Sequence, residues 1–260
     1  MKKNSQINTV KKTIEQVFMF LYSFYIEEKM SQINGILQDL EGTSVHDVLI
    51  QMEEAYDRIS NEQDKWYKKT NFLCIDGCGQ CCVGFEPDLF ECEALYMSAW
   101  LLENQRDVAL AIADGTFPFD NSSLAKTKTC PFFNKTSKYH CSIYGGRAFI
   151  CRLFGACSSY SKKGEKVWKP CKFYPSSVLA MHKPTIEHKQ YSYDETMNIL
   201  GDVPPAMSDL IETALSFIPD SERTVVIHEI LPQTIKRLLW IISMNGNDNP
   251  NGTPNAPMVA

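Results

Sequence analysis

Cys74-Ile75-Asp76-Gly77-Cys78-Gly79-Gln80-Cys81-Cys82 puts four of the chain's ten cysteines into nine residues. Thiolates are soft, strong ligands for zinc and for iron–sulfur clusters. Short loops between them lower the entropy cost of assembling one coordination shell. Gly77 and Gly79 permit positive φ and leave backbone N–H groups free to point at sulfur. The vicinal pair Cys81-Cys82 constrains the reading further. In an extended segment adjacent side chains point to opposite sides, so the pair either feeds two neighbouring metal positions or supplies one ligand and one supporting thiol.

Working outward, Cys130, Cys141, Cys151, Cys157 and Cys171 follow. The total exceeds the four thiolates of one tetrahedral site. Two centres or one polynuclear cluster is the favoured reading; one metal plus several core cysteines is the other. Between Leu124 and Lys172 stand eleven basic residues and one acid, Glu165. Cations beside thiolates offset their charge and hold their pKa values down. A groove for single-stranded nucleic acid would also interleave basic and aromatic residues; an anionic cofactor or an acidic protein tail would use the same charge; a solvated face is the simplest account of most of the lysines. Arg147 and Arg152 sit beside cysteines, and Tyr144 lies between Cys141 and Cys151. These three are the candidate cofactor contacts. His140, before Cys141, is an alternative ligand.

The flanks read as helices, which makes the fold mainly α: helical flanks packed around an irregular, loop-rich cysteine module. Ile7, Val10, Ile14, Val17, Phe18, Leu21 and Phe24 recur at helical steps within a helix expected over 5–40, and Gly42 ends the pattern. A second helix opens at Ser44, with Val48, Leu49, Met52, Tyr56 and Ile59 on one side and a polar end at Asn61–Lys69. A third runs from Pro87 to Gly115; Cys92 fits its apolar face as a core residue and is left out of the metal set. Residues 116–176 sustain no period, and so long a stretch needs an ordering agent such as metal. Its aromatics would fill a core around the metal. Helical patterning returns at Met207–Ile218. Arg223–Ile230 reads equally as strand or helix, and Pro232 opens a last helix. The expected division is 1–70 helical, 71–175 the cysteine module, 176–245 helical, and 246–260 a disordered tail rich in Asn, Pro and Gly.

A net charge of −5 and an apolar content of 44% describe an ordinary globular protein with no global pull toward nucleic acid or membrane. The apolar run Val17–Ile26 falls short of the roughly 20 residues of a bilayer span. The expected compartment is the cytoplasm, where clustered cysteines favour metal over disulfides.

Cys78-Gly-Gln-Cys81-Cys82, Cys130-Pro131-Phe132-Phe133, Cys141-Ser-Ile-Tyr144 with Arg147, and Cys151-Arg152-Leu-Phe154 resemble the YkgJ-like cysteine-cluster family, a zinc- or iron-chelating domain that opens with CxxCxxCC. The likeness covers about 71–175. Carried over position by position, it implies the metal ligands Cys74, Cys78, Cys81, Cys82, Cys130, Cys141 and Cys151, with Cys171, or alternatively Cys157, in the last place. Two departures stand out: the first gap holds three residues where the family has two, and Ala148 stands where the family has proline. The family is related to flagellin lysine methylases. The resemblance therefore implies an iron–sulfur cluster or zinc as cofactor and allows S-adenosylmethionine, with a protein substrate or partner. A lysine methylase or oxidoreductase and a zinc-ordered interaction protein are the two alternatives to a plain metal-binding protein.

Overall fold

The computed structural model describes residues 31–72, 78–119, 129–216 and 223–247. The expectations for the helix before residue 31, for Cys74 and for the tail beyond 247 lie outside the described residues.

Thr43 sits in extended conformation, and its Oγ1 accepts the His46 amide at 3.2 Å. This cap starts the helix Ser44–Thr70 (α2), which follows the short helix Asn34–Asp39 (α1). Asn71, left-handed at φ 53°, ends α2. At 1.5 Å per residue α2 is about 40 Å long, and it spans two cores. Its first half buries Val45, Leu49, Met52, Tyr56 and Ile59. The end read as polar and exposed instead buries Gln63 and Trp66, because a second core lies beneath it.

Glu91–Asn104 (α3) is buried on every side from Cys92 to Leu102, which makes it the central helix of the main core. It packs against α1, α2, Arg106–Asp114 (α4) and the C-terminal helix. The single helix expected from Pro87 to Gly115 is thus divided. Asp88–Leu89 (β1) forms a strand, and at Gln105 (φ −146°, ψ 57°) the chain breaks between α3 and α4. Gln105 is engaged at that break: its Nε2 donates to the Ser142 carbonyl at 2.6 Å and holds the cysteine loop.

The central segment is built from short pieces: 3-10 turns at Gln80–Cys82 and Tyr144–Gly146, the helix Phe149–Leu153 (α5), an antiparallel sheet of Ser159–Tyr160 (β2), Lys166–Trp168 (β3) and Tyr191–Ser192 (β4), and the helix Ser176–Leu179 (α6) between β3 and β4. Tyr193–Leu200 (α7) and Met207–Leu215 (α8) follow. Val225–Val226 (β5) pairs with β1, and the chain runs directly into Ile227–Asn247 (α9). The stretch left open between strand and helix is therefore both in turn, and Pro232 lies inside α9 rather than at its start.

Two cores result. The main one joins α1 to α5 and α9; the smaller one gathers Trp66, Phe72, Trp168, Tyr174, Leu179, Ile186, Tyr191 and Leu200. Among the described residues no helix is long and apolar enough to cross a membrane.

One buried carboxylate ties the frame to the cysteine segment. Glu93 accepts the Phe90 amide on Oε2 at 2.9 Å and the Phe149 amide on Oε1 at 2.6 Å, so it caps α3 and α5 together. Burial pushes its acid up to about 7 from an ordinary 4.5, against those two hydrogen bonds and the nearby Arg152 charge. The folded state therefore keeps a proton that the unfolded chain releases. Stability from this group is full below about 4.5 and is lost as pH rises through about 7, a difference of about 3 kcal/mol. Glu93→Gln is expected to lower stability by about 1–3 kcal/mol, since one amide loses its acceptor, and to flatten this part of the pH profile. Denaturant unfolding of both proteins at several pH values between 4 and 8 measures it; identical slopes would show that Glu93 does not carry the dependence.

Candidate metal centre

Gly79 turns left-handed (φ 56°, ψ 0°) and feeds the 3-10 turn, where the Cys82 amide bonds back to the Gly79 carbonyl at 3.0 Å. The vicinal pair thus lies in a tight turn and not in the extended segment assumed for it, and the two thiols hydrogen-bond each other. The Cys82 carbonyl accepts the Cys130 amide at 3.1 Å, which brings the second cysteine loop alongside. Within that loop Phe133 bridges to Cys141, and the Phe132 carbonyl accepts the Ser142 amide at 3.0 Å. Gly145 and Gly146 press on Trp100 of α3, where a Cβ would come within 2.5 and 3.0 Å of the indole. Cys151 rides on α5, whose start Glu93 caps. The loop after Cys82 is pinned to α9 by Glu86, whose Oε1 contacts His228 Nδ1 at 2.6 Å.

Among the described residues, sulfurs line two cavities. The larger, of about 380 Å³, is lined by Cys78, Cys81, Cys151 and Cys171 together with Tyr144, Arg147 and Arg152. The smaller, of about 20 Å³, is lined by Cys81, Cys82, Cys130 and Cys151 with Phe85, Pro87, Ile150 and Phe154; it is the size of a single water or ion. Cys81 and Cys151 face both. Cys141 lines neither, yet its charge is felt by Cys130 and Cys151, and it in turn feels Cys81. No three Cys, His, Asp or Glu side chains among the described residues close on one point as in a filled coordination shell.

Burial dominates the thiol chemistry. It pushes Cys130 and Cys151 up to about 12, with neighbouring thiols adding to the shift, and raises Cys141 and Cys171. Cys81 is raised further still, first by its hydrogen bond with Cys82 and then by burial. Arg147 pulls Cys81, Cys141 and Cys151 the other way, and Arg152 does so for Cys141.

The remaining candidates separate cleanly. Cys171 feels Cys78 and Cys81, and a Cβ on left-handed Gly155 would stand 3.0 Å from its Cβ. Cys157 is raised to about 11 by burial alone and packs on the main core. Cys92 is buried within α3. His140 lies over Gly79, beside Phe133, and lines neither cavity. The reading of the residues missed Glu93 and the role of Gln63, whose Nε2 donates to the Arg152 carbonyl at 2.6 Å. A signal for Glu93 was there: one carboxylate inside the apolar run Cys92–Leu102 must be satisfied if buried.

The donor set fits a soft metal. Its sulfurs are grouped, and two arginines offset their charge. A segment of this kind is a cysteine chelating module. The model of the CxxCxxCC family, described as "Putative zinc- or iron-chelating domain", matches residues 73–193. The match supports metal binding by that segment through its cysteines. The match runs past 175, the expected end of the module, through α6 and β4, which help to build the second core beside Cys171. No curated protein and no solved structure matches the chain.

Gly79→Ala is expected to destabilise the turn by about 1–2 kcal/mol from the left-handed backbone alone, and the new Cβ would also collide with the His140 ring. Metal content per chain, with the unfolding midpoint, checks this; unchanged values would mean that the turn does not set the site.

Proposed function

We propose that Cys78, Cys81, Cys82, Cys130, Cys141, Cys151 and Cys171, with Cys74 from the adjoining stretch, hold one polynuclear metal centre, either an iron–sulfur cluster or neighbouring zinc ions. The observation that carries this reading is the pair of cavities sharing Cys81 and Cys151. A lone zinc enclosed by four thiolates needs neither a second cysteine-lined space nor a wide opening. An iron–sulfur cluster would supply one-electron chemistry there, and zinc would supply order. Around either, this chain's own groups hold the thiols in place, exclude water with aromatic walls and offset charge with Arg147 and Arg152. We place the protein in the cytoplasm because the described cysteines are free thiols. The enzyme reading that the resemblance allows, methyl transfer from S-adenosylmethionine to a protein lysine, draws support from the open volume beside the thiols; cosubstrate binding and turnover on lysine peptides test it.

Anaerobic purification followed by metal and acid-labile sulfide analysis decides the centre. Brown protein with iron and sulfide identifies a cluster, and colourless protein with stoichiometric zinc identifies zinc. Protein with neither metal, or with its cysteines in disulfides, overturns the proposal. Cys81→Ser is expected to lose metal and with it the order of the central segment, measured by metal analysis and proteolysis. Cys92→Ser should keep full metal content; equal loss in both would show that the ligand set is wrong.

A further inference from the structure

The larger cavity holds more than its sulfurs occupy. Its lining is also aromatic: Tyr139 and Tyr144 stack with ring centres 4.1 Å apart at 23°, and Phe154 and Phe173 stack at 6.5 Å. Cations lie over these rings. The Arg147 guanidinium is 3.7 Å from the Tyr144 centroid, Lys138 Nζ is 4.9 Å from that of Tyr139, and Lys172 Nζ is 4.8 Å from that of Phe173. Among the described residues Asp64 is the one acid on the wall.

The two arginines differ in what they have left to bind. Arg152 is committed: its Nε donates to the Arg147 carbonyl at 3.0 Å, its Nη2 donates to the Gly145 carbonyl, and its guanidinium covers Tyr56 at 3.8 Å. The Arg147 side chain forms no hydrogen bond or ion pair among the described residues, and its Nε is buried without a partner. A guanidinium lying on a ring keeps its donors in its own plane, directed outward at its edge. That geometry suits a carboxylate, which accepts two parallel N–H bonds. Offsetting thiolate charge would need only the cation, not the stacked rings beside it. A volume of about 380 Å³, walled by aromatic rings and polar groups together, also matches a small-molecule site.

We propose that the open part of this cavity binds a small planar carboxylate with an aromatic body, its carboxylate on the Arg147 edge and its ring against the aromatic wall. Placing this ligand beside a metal rests on the reading above; its binding to Arg147 and the rings does not.

Benzoate titrated into the purified full-length protein by calorimetry tests this, with metal measured in the same samples. Saturable binding is expected. Cyclohexanecarboxylate, which carries the same charge without a π face, should bind several-fold more weakly. Arg147→Met should weaken benzoate by about tenfold or more, and Tyr139→Leu by about three- to tenfold with metal content unchanged. If Arg147→Met fails to fold or loses metal, Tyr139→Leu decides. No saturable benzoate binding, equal affinity for the two carboxylates, inorganic phosphate competing as well as benzoate, or an unaltered Tyr139→Leu overturns the carboxylate site. Benzoate binding by a metal-free protein would support this site while counting against the metal centre, and metal without benzoate binding does the reverse.

Discussion

The Glu93 carboxylate accepts one amide from the start of α3 and one from the start of α5, so a single side chain ends two elements that are far apart in sequence. Everything about the cysteine segment is referred to that junction. Phe149 packs edge-on against Tyr56 with ring centres 4.9 Å apart, and the Arg152 guanidinium lies 3.8 Å from the Tyr56 centroid. Cys151, between Phe149 and Arg152, is thereby fixed against α2 and α3 before any ligand is considered. A carboxylate buried this deeply costs free energy unless its acceptors are used. Here both oxygens are used, and what is gained is position. Hydrogen bonds to two orphan helix amides also satisfy groups that would otherwise be unpaired at buried helix starts.

The sulfurs stand where the two cores meet. Cys130, Cys141 and Cys151 pack on the main core, and Cys171 packs on the smaller aromatic one. The long α2 runs through both, but between them the chain is mostly turns. A metal held by thiols from each side would therefore do in this segment what strands and helices do elsewhere, fixing distances across loops that propensity leaves loose. Binding free energy spent in this way is folding free energy. The short 3-10 turns, two-residue strands and five-residue α5 are consistent with a segment whose shape is set by its contacts rather than by its local preferences.

Long, periodic elements were legible in the sequence, and short contact-made ones were not. The start of α2 at Ser44 could be read because Thr43 and Ser44 precede an apolar stripe. The break at Gln105 could not, because the apolar period runs through it; only the Gln105 bond to the Ser142 carbonyl, made across 37 residues, reveals what the break does. The β1–β5 pairing, two residues on each side, leaves no alternation to detect. At the site, cysteine spacing identified the chemistry and the neighbourhood, and the basic segment pointed to Arg147 and Arg152. It did not distinguish Cys171 from Cys157, because both follow plausible spacings; that Cys171 lines the larger cavity and Cys157 lines neither is a fact of packing. Nor did it show that Cys81 turns toward both cavities, since the extended geometry assumed for the pair gives way to a turn set by the left-handed Gly79.

Electrostatics then explains why such a place should take a cation. Burial favours the neutral thiol, and neighbouring sulfurs raise Cys130 and Cys151 further because two thiolates so close repel each other. Arg147 and Arg152 work against this without reversing it. Burial thus holds Cys130, Cys141, Cys151 and Cys171 toward the neutral thiol, and Cys81 is held there by its hydrogen bond with Cys82 and by burial. A zinc or iron ion held there would displace the protons and offset the repulsion among the sulfurs, and surroundings poor in water would strengthen its binding. The same burial that suppresses the free thiolate thus favours the metal thiolate, and it does so only where several sulfurs share one small space, as Cys81 and Cys151 do between the two cavities.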